Sequence, residues 1–183
     1  LPFLEFSAPN SLYADPVGLN WRVLKSFERL PFPPVVGLPE GALTSPEFRR
    51  DLGLALWAKE LQDEAIVQIE KALQGNPRDT VALLHRGKIH LRAGSVLLAE
   101  ADFKAVLRVD PGMVETHEAL VQLYRGQRTW DLAEAHLRDT VVLRPKEPRH
   151  LAGLADLLRE RRRFDEAIQR YLAAVAMAPK DAR

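Results

Sequence analysis

The sequence of 183 residues contains no cysteine, which excludes a disulfide framework, a thiolate metal site and a cysteine nucleophile. It also lacks an excess of one charge, since 26 basic side chains face 25 acidic ones, so no overall field attracts nucleic acid. No apolar run approaches the roughly 20 residues of a membrane-spanning helix. Glycine-rich phosphate loops and a serine in a nucleophile elbow are missing too. What remains is the composition of an ordinary globular domain, with the compartment left open between cytoplasm and periplasm.

Proline and aromatic residues are concentrated at the start of the chain. Residues 1–45 hold seven of the thirteen prolines and six of the thirteen aromatic side chains. Proline at this density interrupts helices and central strands, so the segment is predicted to be a mostly irregular arm. Disordered linkers are poor in aromatic residues, so we expect the arm to lie on a protein surface. Its predicted contact residues are Phe3, Phe6, Tyr13, Trp21, Phe27 and Phe32.

One stretch of the arm, residues 16–30, has the pattern of a short amphipathic helix. Asp15 followed by Pro16 resembles a cap and a first-turn proline, and the apolar residues between 17 and 30 fall on one broad side. The favoured interpretation is a helix packed on the neighbouring domain. The alternative is a basic amphipathic helix at a membrane surface or on a partner. Membrane contact is therefore expected only through this segment or through a partner.

The remainder of the chain is built from a repeat of 34 residues. Two residue types share this period independently, and a large side chain follows each periodic alanine by four residues. The prolines are Pro77, Pro111, Pro145 and Pro179, and the alanines are Ala65, Ala99, Ala133 and Ala167; the large residues are Ile69, Phe103, Leu137 and Tyr171.

The spacing resembles the tetratricopeptide repeat, whose pattern has a Leu-Gly pair, a small residue, a large residue four positions later and a closing proline. Leu52-Gly53 matches the pair fully, and Arg86-Gly87 matches its glycine. The resemblance implies an all-α fold, a right-handed α-solenoid of four helix-turn-helix repeats that follows the arm 1–45. The predicted repeat domain is 46–181, with repeats 46–79, 80–113, 114–147 and 148–181.

The resemblance also implies a concave groove lined by the first helix of each repeat. The family's groove positions are the second, fifth, ninth and twelfth residues of a repeat. They predict an apolar N-terminal half around Trp57 and a C-terminal half of mixed charge. The predicted groove residues are Glu47, Arg50, Leu54, Trp57, Val81, Leu84, Lys88, Leu91, Glu115, Glu118, Gln122, Arg125, Arg149, Ala152, Asp156 and Arg159.

Two specialised ligands of the family do not fit this groove. Repeat domains that hold the acidic C-terminus of heat-shock chaperones resemble one another in a clamp that includes an asparagine, and Leu54 stands in that position. Sugar transferases of the family have a ladder of asparagines, whereas the asparagines here are Asn10, Asn20 and Asn76, none on the predicted inner face. Both roles are disfavoured.

Candidate chemical groups are few. His85 and His90 are five residues apart, a spacing that places them on different helix faces, and His90 and His117 stand at positions of the core. We interpret His90 and His117 as packed side chains, and predict no catalytic residue, no cofactor and no metal site. The basic run 159–163 is interpreted as a complement to a helix dipole, and alternatively as a patch for phosphate, anionic lipid or an acidic partner. Because no aromatic platform accompanies it, nucleic acid is not an expected partner.

These features predict a non-catalytic scaffold or adaptor subunit of a larger complex, with protein partners bound through the groove and the arm. The alternative is an assembly factor or chaperone that holds a client segment while a complex matures. A third hypothesis is a regulatory module of an enzyme whose catalytic part lies elsewhere. Leu172, Val175 and Met177 are expected to form an apolar flank at the end of the solenoid.

Overall fold

A computed structural model describes residues 42–177. In this range, a 3₁₀ turn at Ala42–Thr44 precedes eight α-helices, and there is no strand. The predicted helix 16–30 and the arm residues Phe3, Phe6, Tyr13, Trp21, Phe27 and Phe32 lie outside the described residues, as does Pro179. The helices are α1 (Pro46–Ala58), α2 (Gln62–Gly75), α3 (Thr80–Arg92), α4 (Val96–Val109), α5 (Val114–Gly126), α6 (Trp130–Leu143), α7 (Pro148–Glu160) and α8 (Phe164–Met177).

The helices form four antiparallel pairs, one in each predicted repeat. The first helices begin at Pro46, Thr80, Val114 and Pro148, which are separated by 34 residues. The right-handed α-solenoid of helix-turn-helix repeats predicted from this spacing is confirmed. None of the described helices combines the length and the apolar character needed to cross a membrane.

Side chains just before two of the first helices fix where those helices begin. Ser45 Oγ accepts a hydrogen bond of 3.1 Å from the backbone N–H of Phe48, and Pro46 occupies the first helical position, where no N–H is needed. Asp79 Oδ1 accepts bonds of 3.0 Å from the N–H groups of Val81 and Ala82. The caps satisfy N–H groups that have no partner within the helix, so the start of each of these repeats is encoded locally.

Small residues at the helix crossings let the two backbones of a repeat approach closely. A Cβ added at Gly53 would lie 2.6 Å from Cγ1 of Ile69, and one added at Gly87 would lie 2.6 Å from Cε1 of Phe103. The periodic alanines are buried on the opposing helices. The core therefore runs continuously through the repeats, with Phe103, Leu56, Ile69, Leu120 and Leu157 among its fully buried side chains.

Contacts between neighbouring repeats show which side of the solenoid is the inner one. The first helices α1 and α3 touch each other, and so do α3 and α5. Among the described residues, no second helix touches another second helix. Because the first helices are closer together than the second helices, the stack curves toward the first helices. The inner face is therefore formed by α1, α3, α5 and α7.

Candidate functional site

The N-terminal half of the inner face contains an aromatic side chain paired with a cation. Trp57 is half-buried on α1, one helical turn after Leu54. The guanidinium carbon of Arg92 lies 4.6 Å from the centroid of the Trp57 ring, within the range of a cation–π interaction. Arg92 is exposed at the end of α3. The pair thus joins two successive first helices and presents apolar surface beside a positive charge.

Other predicted residues of this half differ in how accessible they are. Leu84 is only 3% exposed and belongs to the hydrophobic core, so it is out of reach of a bound segment. Val81, Lys88 and Leu91 are half-buried, and Glu47 is exposed. A groove position is defined by the helix face alone, and Leu84 shows that a neighbouring helix can cover such a position.

The side chain of Arg50 forms hydrogen bonds to two aspartates of the solenoid. Its Nε donates to Asp51 at 2.9 Å and its Nη1 donates to Asp79 at 3.1 Å. The hydrogen bond to Asp51 is the main reason why the pKa of Arg50 is raised above its ordinary value. Asp79 also caps α3, so Arg50 links the start of α3 to α1 and has fewer donors left for a ligand.

The C-terminal half of the inner face carries ion pairs between α5 and α7. Arg149 Nη2 lies 3.8 Å from Glu118 Oε1, and Arg125 pairs with Glu160. Because such exposed pairs are screened by water and contribute little to stability, a partner with charges of its own can replace them at small cost.

Further along α7, Asp156 is the common acceptor of two side chains. It accepts from Arg159 at 3.2 Å and from the Tyr171 hydroxyl at 2.5 Å. Gln122 and Glu115 are exposed, and Ala152 is half-buried. This half therefore presents charges of both signs, already arranged in pairs.

Most arginines of the basic run 159–163 form ion pairs with acidic neighbours. Glu134 is buried on α6, and its Oε2 accepts from Arg161 at 2.5 Å and from Arg163 at 2.9 Å. Arg161 also pairs with Asp131 at 2.9 Å. The interpretation as a dipole complement was incomplete, because these arginines neutralise a buried carboxylate and join α6 to the turn before α8. The pairing leaves less free positive charge for an anionic ligand.

Two inner-face residues were missed by the sequence reasoning, Arg92 and Glu160. Each is the thirteenth residue of its repeat, one position beyond the last groove position considered. Each contacts a predicted groove residue, Trp57 and Arg125 respectively. The available signal was a charged residue at the thirteenth position of these two repeats.

A curved stack of helix pairs with an accessible inner face is a helical-repeat scaffold for protein–protein interaction. The chain belongs to the tetratricopeptide repeat family, whose profile matches residues 50–114 and 118–182. The fold is typical of interaction scaffolds that carry out no catalysis.

Relatives and solved structures agree with this assignment. The chain is 25% identical over 125 residues to the tetratricopeptide repeat and J domain-containing co-chaperone DNJ1 of Fusarium oxysporum, covering 64% of this chain and 24% of that protein. It is 26% identical over 104 residues to the type IV pilus assembly protein PilF of Pseudomonas aeruginosa, covering 57% and 41%. The chain thus spans less than half the length of either relative. The crystal structure of MamA superposes with a TM-score of 0.69 at 14% identity, covering 85% of this chain and 84% of MamA.

Proposed function

We propose that this protein is a non-catalytic scaffold or adaptor subunit of a larger complex, and that its inner face binds an extended or helical segment of a partner protein. The observation that carries the proposal is the pairing of Trp57 with Arg92 across two first helices. Tryptophan and arginine are the residue types that most often dominate the binding energy of an interface.

The two halves of the inner face define the chemistry of the partner. An apolar side chain of the partner packs beside Trp57 and Leu54, and charged side chains of both signs exchange with the pairs around Glu118 and Arg125. Charge complementarity of this kind fixes the register and direction of a bound segment more than its affinity. The proposed partner segment therefore has an apolar end and a charged end.

The binding face is tested by photo-crosslinking in the source cells. A photoreactive phenylalanine analogue is placed at Gln122 on the inner face, and in a separate variant at Gln169 on α8; both side chains are exposed glutamines. We expect one protein to crosslink from position 122 and not from position 169. Equal crosslinking of the same protein from both positions would contradict an inner-face site.

The contribution of the aromatic pair is measured with that partner once it is purified. Trp57→Ala is expected to weaken binding at least tenfold, about 1.4 kcal/mol, and Arg92→Glu tests the same surface through an exposed side chain whose loss does not disturb the core. Phe164→Ala removes an exposed aromatic residue outside the groove and is the matched control. Wild-type affinity in both Trp57→Ala and Arg92→Glu would contradict the proposal that this pair contacts the partner.

The arm 1–45 is proposed as a second contact of the same partner or of a neighbouring subunit, separate from the repeat domain 46–181. Substituting Phe3, Phe6 and Phe32 together by serine in the full chain tests it. Weaker capture of the partner with an unchanged melting temperature is expected. Unchanged capture would rule out a binding role for these three side chains.

A second candidate function is an assembly factor or chaperone that holds a client segment during the maturation of a complex. It is supported by the names of the two relatives, a pilus assembly protein and a co-chaperone. The finished complex distinguishes the candidates. A subunit is present in it at a fixed stoichiometry, whereas an assembly factor is found only with incomplete intermediates.

A further inference from the structure

Three potential metal ligands converge on one point between α5 and α6, away from the inner-face residues described above. Nδ1 of His117 and Nδ1 of His136 are 3.0 Å apart. Oδ2 of Asp139 lies 3.4 Å from the first nitrogen and 3.7 Å from the second. Each of the three side chains thus offers one donor atom to the same small volume.

The size of this triangle matches a tetrahedral metal site. Bonds of about 2.0–2.1 Å from zinc to nitrogen and oxygen place two ligands of a tetrahedron roughly 3.3–3.4 Å apart. The three separations here average about 3.4 Å, and the circle through the three atoms has a radius of about 2.0 Å. An ion slightly above the plane of the three atoms is therefore about 2.1 Å from each, which is a bonding distance.

The tautomer of His117 is set for coordination. Its Nε2 lies 3.0 Å from the carbonyl oxygen of Pro111, in the loop after α4. A carbonyl oxygen can only accept, so Nε2 carries a hydrogen, and in the neutral ring the lone pair is on Nδ1, the atom that faces His136. A hydrogen bond from the distant ring nitrogen to a backbone carbonyl is the usual support of a metal-bound histidine.

The His136 ring is also held in place. It stacks on Tyr124, with ring centroids 5.7 Å apart and an angle of 6° between the planes, and the Tyr124 hydroxyl donates to Glu100 at 2.8 Å. These contacts hold the ring so that its Nδ1 faces His117 and Asp139.

The three atoms that face one another, two imidazole nitrogens and one carboxylate oxygen, can each supply a lone pair to a metal ion. A divalent cation interacts favourably with all three atoms at once.

The cluster is not a requirement of repeat packing. The equivalent positions carry Arg49, Gln68 and Lys71 in the first repeat, Leu83, Asp102 and Ala105 in the second, and Leu151, Arg170 and Ala173 in the fourth. In the first repeat the same crossing is closed by a hydrogen bond of 2.9 Å from Arg49 to Gln68. The third repeat alone has three metal-ligating residue types there. His117 is buried, as the sequence interpretation expected, but packing of the repeat does not explain why His136 and Asp139 stand beside it.

We propose that His117, His136 and Asp139 bind one divalent transition-metal ion, zinc in particular, with three protein ligands and a fourth position open to solvent. The His117 side chain is only 7% exposed, whereas that of Asp139 is 54% exposed, so the ion enters from the side of Asp139. Two imidazoles and one carboxylate are a ligand set that suits zinc, and three protein ligands leave the fourth position for water or a donor from another molecule.

The test is zinc binding by the full chain, purified without a histidine tag and treated with a chelator. Isothermal titration with zinc chloride is expected to give one ion per chain and a raised melting temperature, since the ion binds the folded state. Cobalt(II), as a probe of geometry, is expected to give the intense visible absorption of a four-coordinate ion. Failure to bind zinc stoichiometrically, or only the weak absorption of six-coordinate cobalt, would overturn the proposal.

Ligand variants assign the site. His136→Gln is expected to abolish stoichiometric binding, and Asp139→Asn, on an exposed side chain, to weaken it at least tenfold. The matched controls are His85→Gln, a half-buried histidine elsewhere, and Asp131→Asn, an exposed aspartate on the same helix α6; both are expected to bind zinc as the wild type does. Wild-type affinity in Asp139→Asn and His136→Gln would place the ion elsewhere and refute the assignment.

Discussion

At the scale of single residues, the helix crossing at Gly87 has no space for a side chain. A β-carbon there would lie 2.6 Å from Cε1 and 2.9 Å from Cδ1 of Phe103. Alanine is the better helix former by about 1 kcal/mol, but overpacking of a core costs about 1–3 kcal/mol. With overpacking in the middle of its range, we expect Gly87→Ala to lower the free energy of unfolding by about 1 kcal/mol, measured by urea denaturation.

The control for this substitution is Gly126→Ala, at the end of α5, where an added Cβ meets nothing within 4 Å. It is expected to be neutral or slightly stabilising, because only the helix preference changes. Combining Gly87→Ala with Phe103→Leu should recover part of the loss by opening space at the crossing. Equal stability of Gly87→Ala and the wild type would show that Phe103 moves aside freely.

A second residue-scale prediction concerns His85 and acid. Burial, followed by the charge of Lys88, lowers the pKa of His85 from 6.5 to about 4. Between these two pH values the unfolded chain binds a proton at His85 that the folded chain does not bind. The free energy of unfolding therefore decreases as the pH falls from 6.5 toward 4. Allowing for the partial exposure of the side chain, we expect about 1 kcal/mol of this loss between pH 7 and pH 5.

The comparison that isolates this effect is between wild type and His85→Gln, unfolded with urea at pH 7 and at pH 5. The variant should lose about 1 kcal/mol less stability than the wild type over this interval. All other ionisable groups are the same in the two proteins, so their contributions cancel in the difference. Parallel losses in the two proteins would show that His85 is protonated equally in the folded and unfolded states.

At the scale of elements, the turn inside each repeat has one residue with a positive φ angle at the same position. Glu60, Gly94, Arg128 and Arg162 stand at equivalent positions, and their φ angles are 63°, 77°, 59° and 59°. This left-handed region costs a residue with a side chain about 1 kcal/mol relative to glycine. Three of the four turns thus carry a small strain that the helices on either side hold in place.

Because of this strain, we expect two substitutions at this turn position to change the free energy of unfolding in opposite directions. Arg128→Gly is expected to raise the free energy of unfolding by about 0.5–1 kcal/mol, and Gly94→Ala to lower it by a similar amount. An added Cβ at Gly94 meets nothing within 4 Å, so the loss there is one of backbone conformation alone. Thermal unfolding measures both, and a rise in stability with Gly94→Ala would contradict the assigned conformation.

Elements were easier to predict from the sequence than surfaces. The prolines, caps and small residues that set helix ends and crossings act locally, so a fixed period locates them. The exposure of Leu84 depends on its neighbours across the stack, and the reach of Arg92 to Trp57 depends on how two helices are placed. His117 and His136 are 19 residues apart on different helices, so no local spacing indicated their contact.

At the scale of the whole molecule, the solenoid consists of repeats that touch only their neighbours. Stability in such a stack is approximately a sum of repeat and interface contributions. Helix α5 has eight buried residues and packs on α3, α4 and α6. Helix α8 has two buried residues, Ala167 and Ala174, and among the described helices it packs only on α7. Exposed Ile168, Leu172 and Val175 line the remaining surface of α8, and the expected flank residue Met177 is 37% exposed.

This unequal burial predicts a gradient of local stability along the stack. Amide hydrogen exchange should be slowest in α5 and fastest in α8, because local opening requires less free energy where fewer apolar contacts are broken. Ala167→Gly, at a buried position of α8, should accelerate exchange in α7 and α8 while leaving α3 and α4 unchanged, since no described contact joins those pairs directly. Uniform acceleration along the whole stack would instead mean that the four repeats unfold as a single cooperative unit.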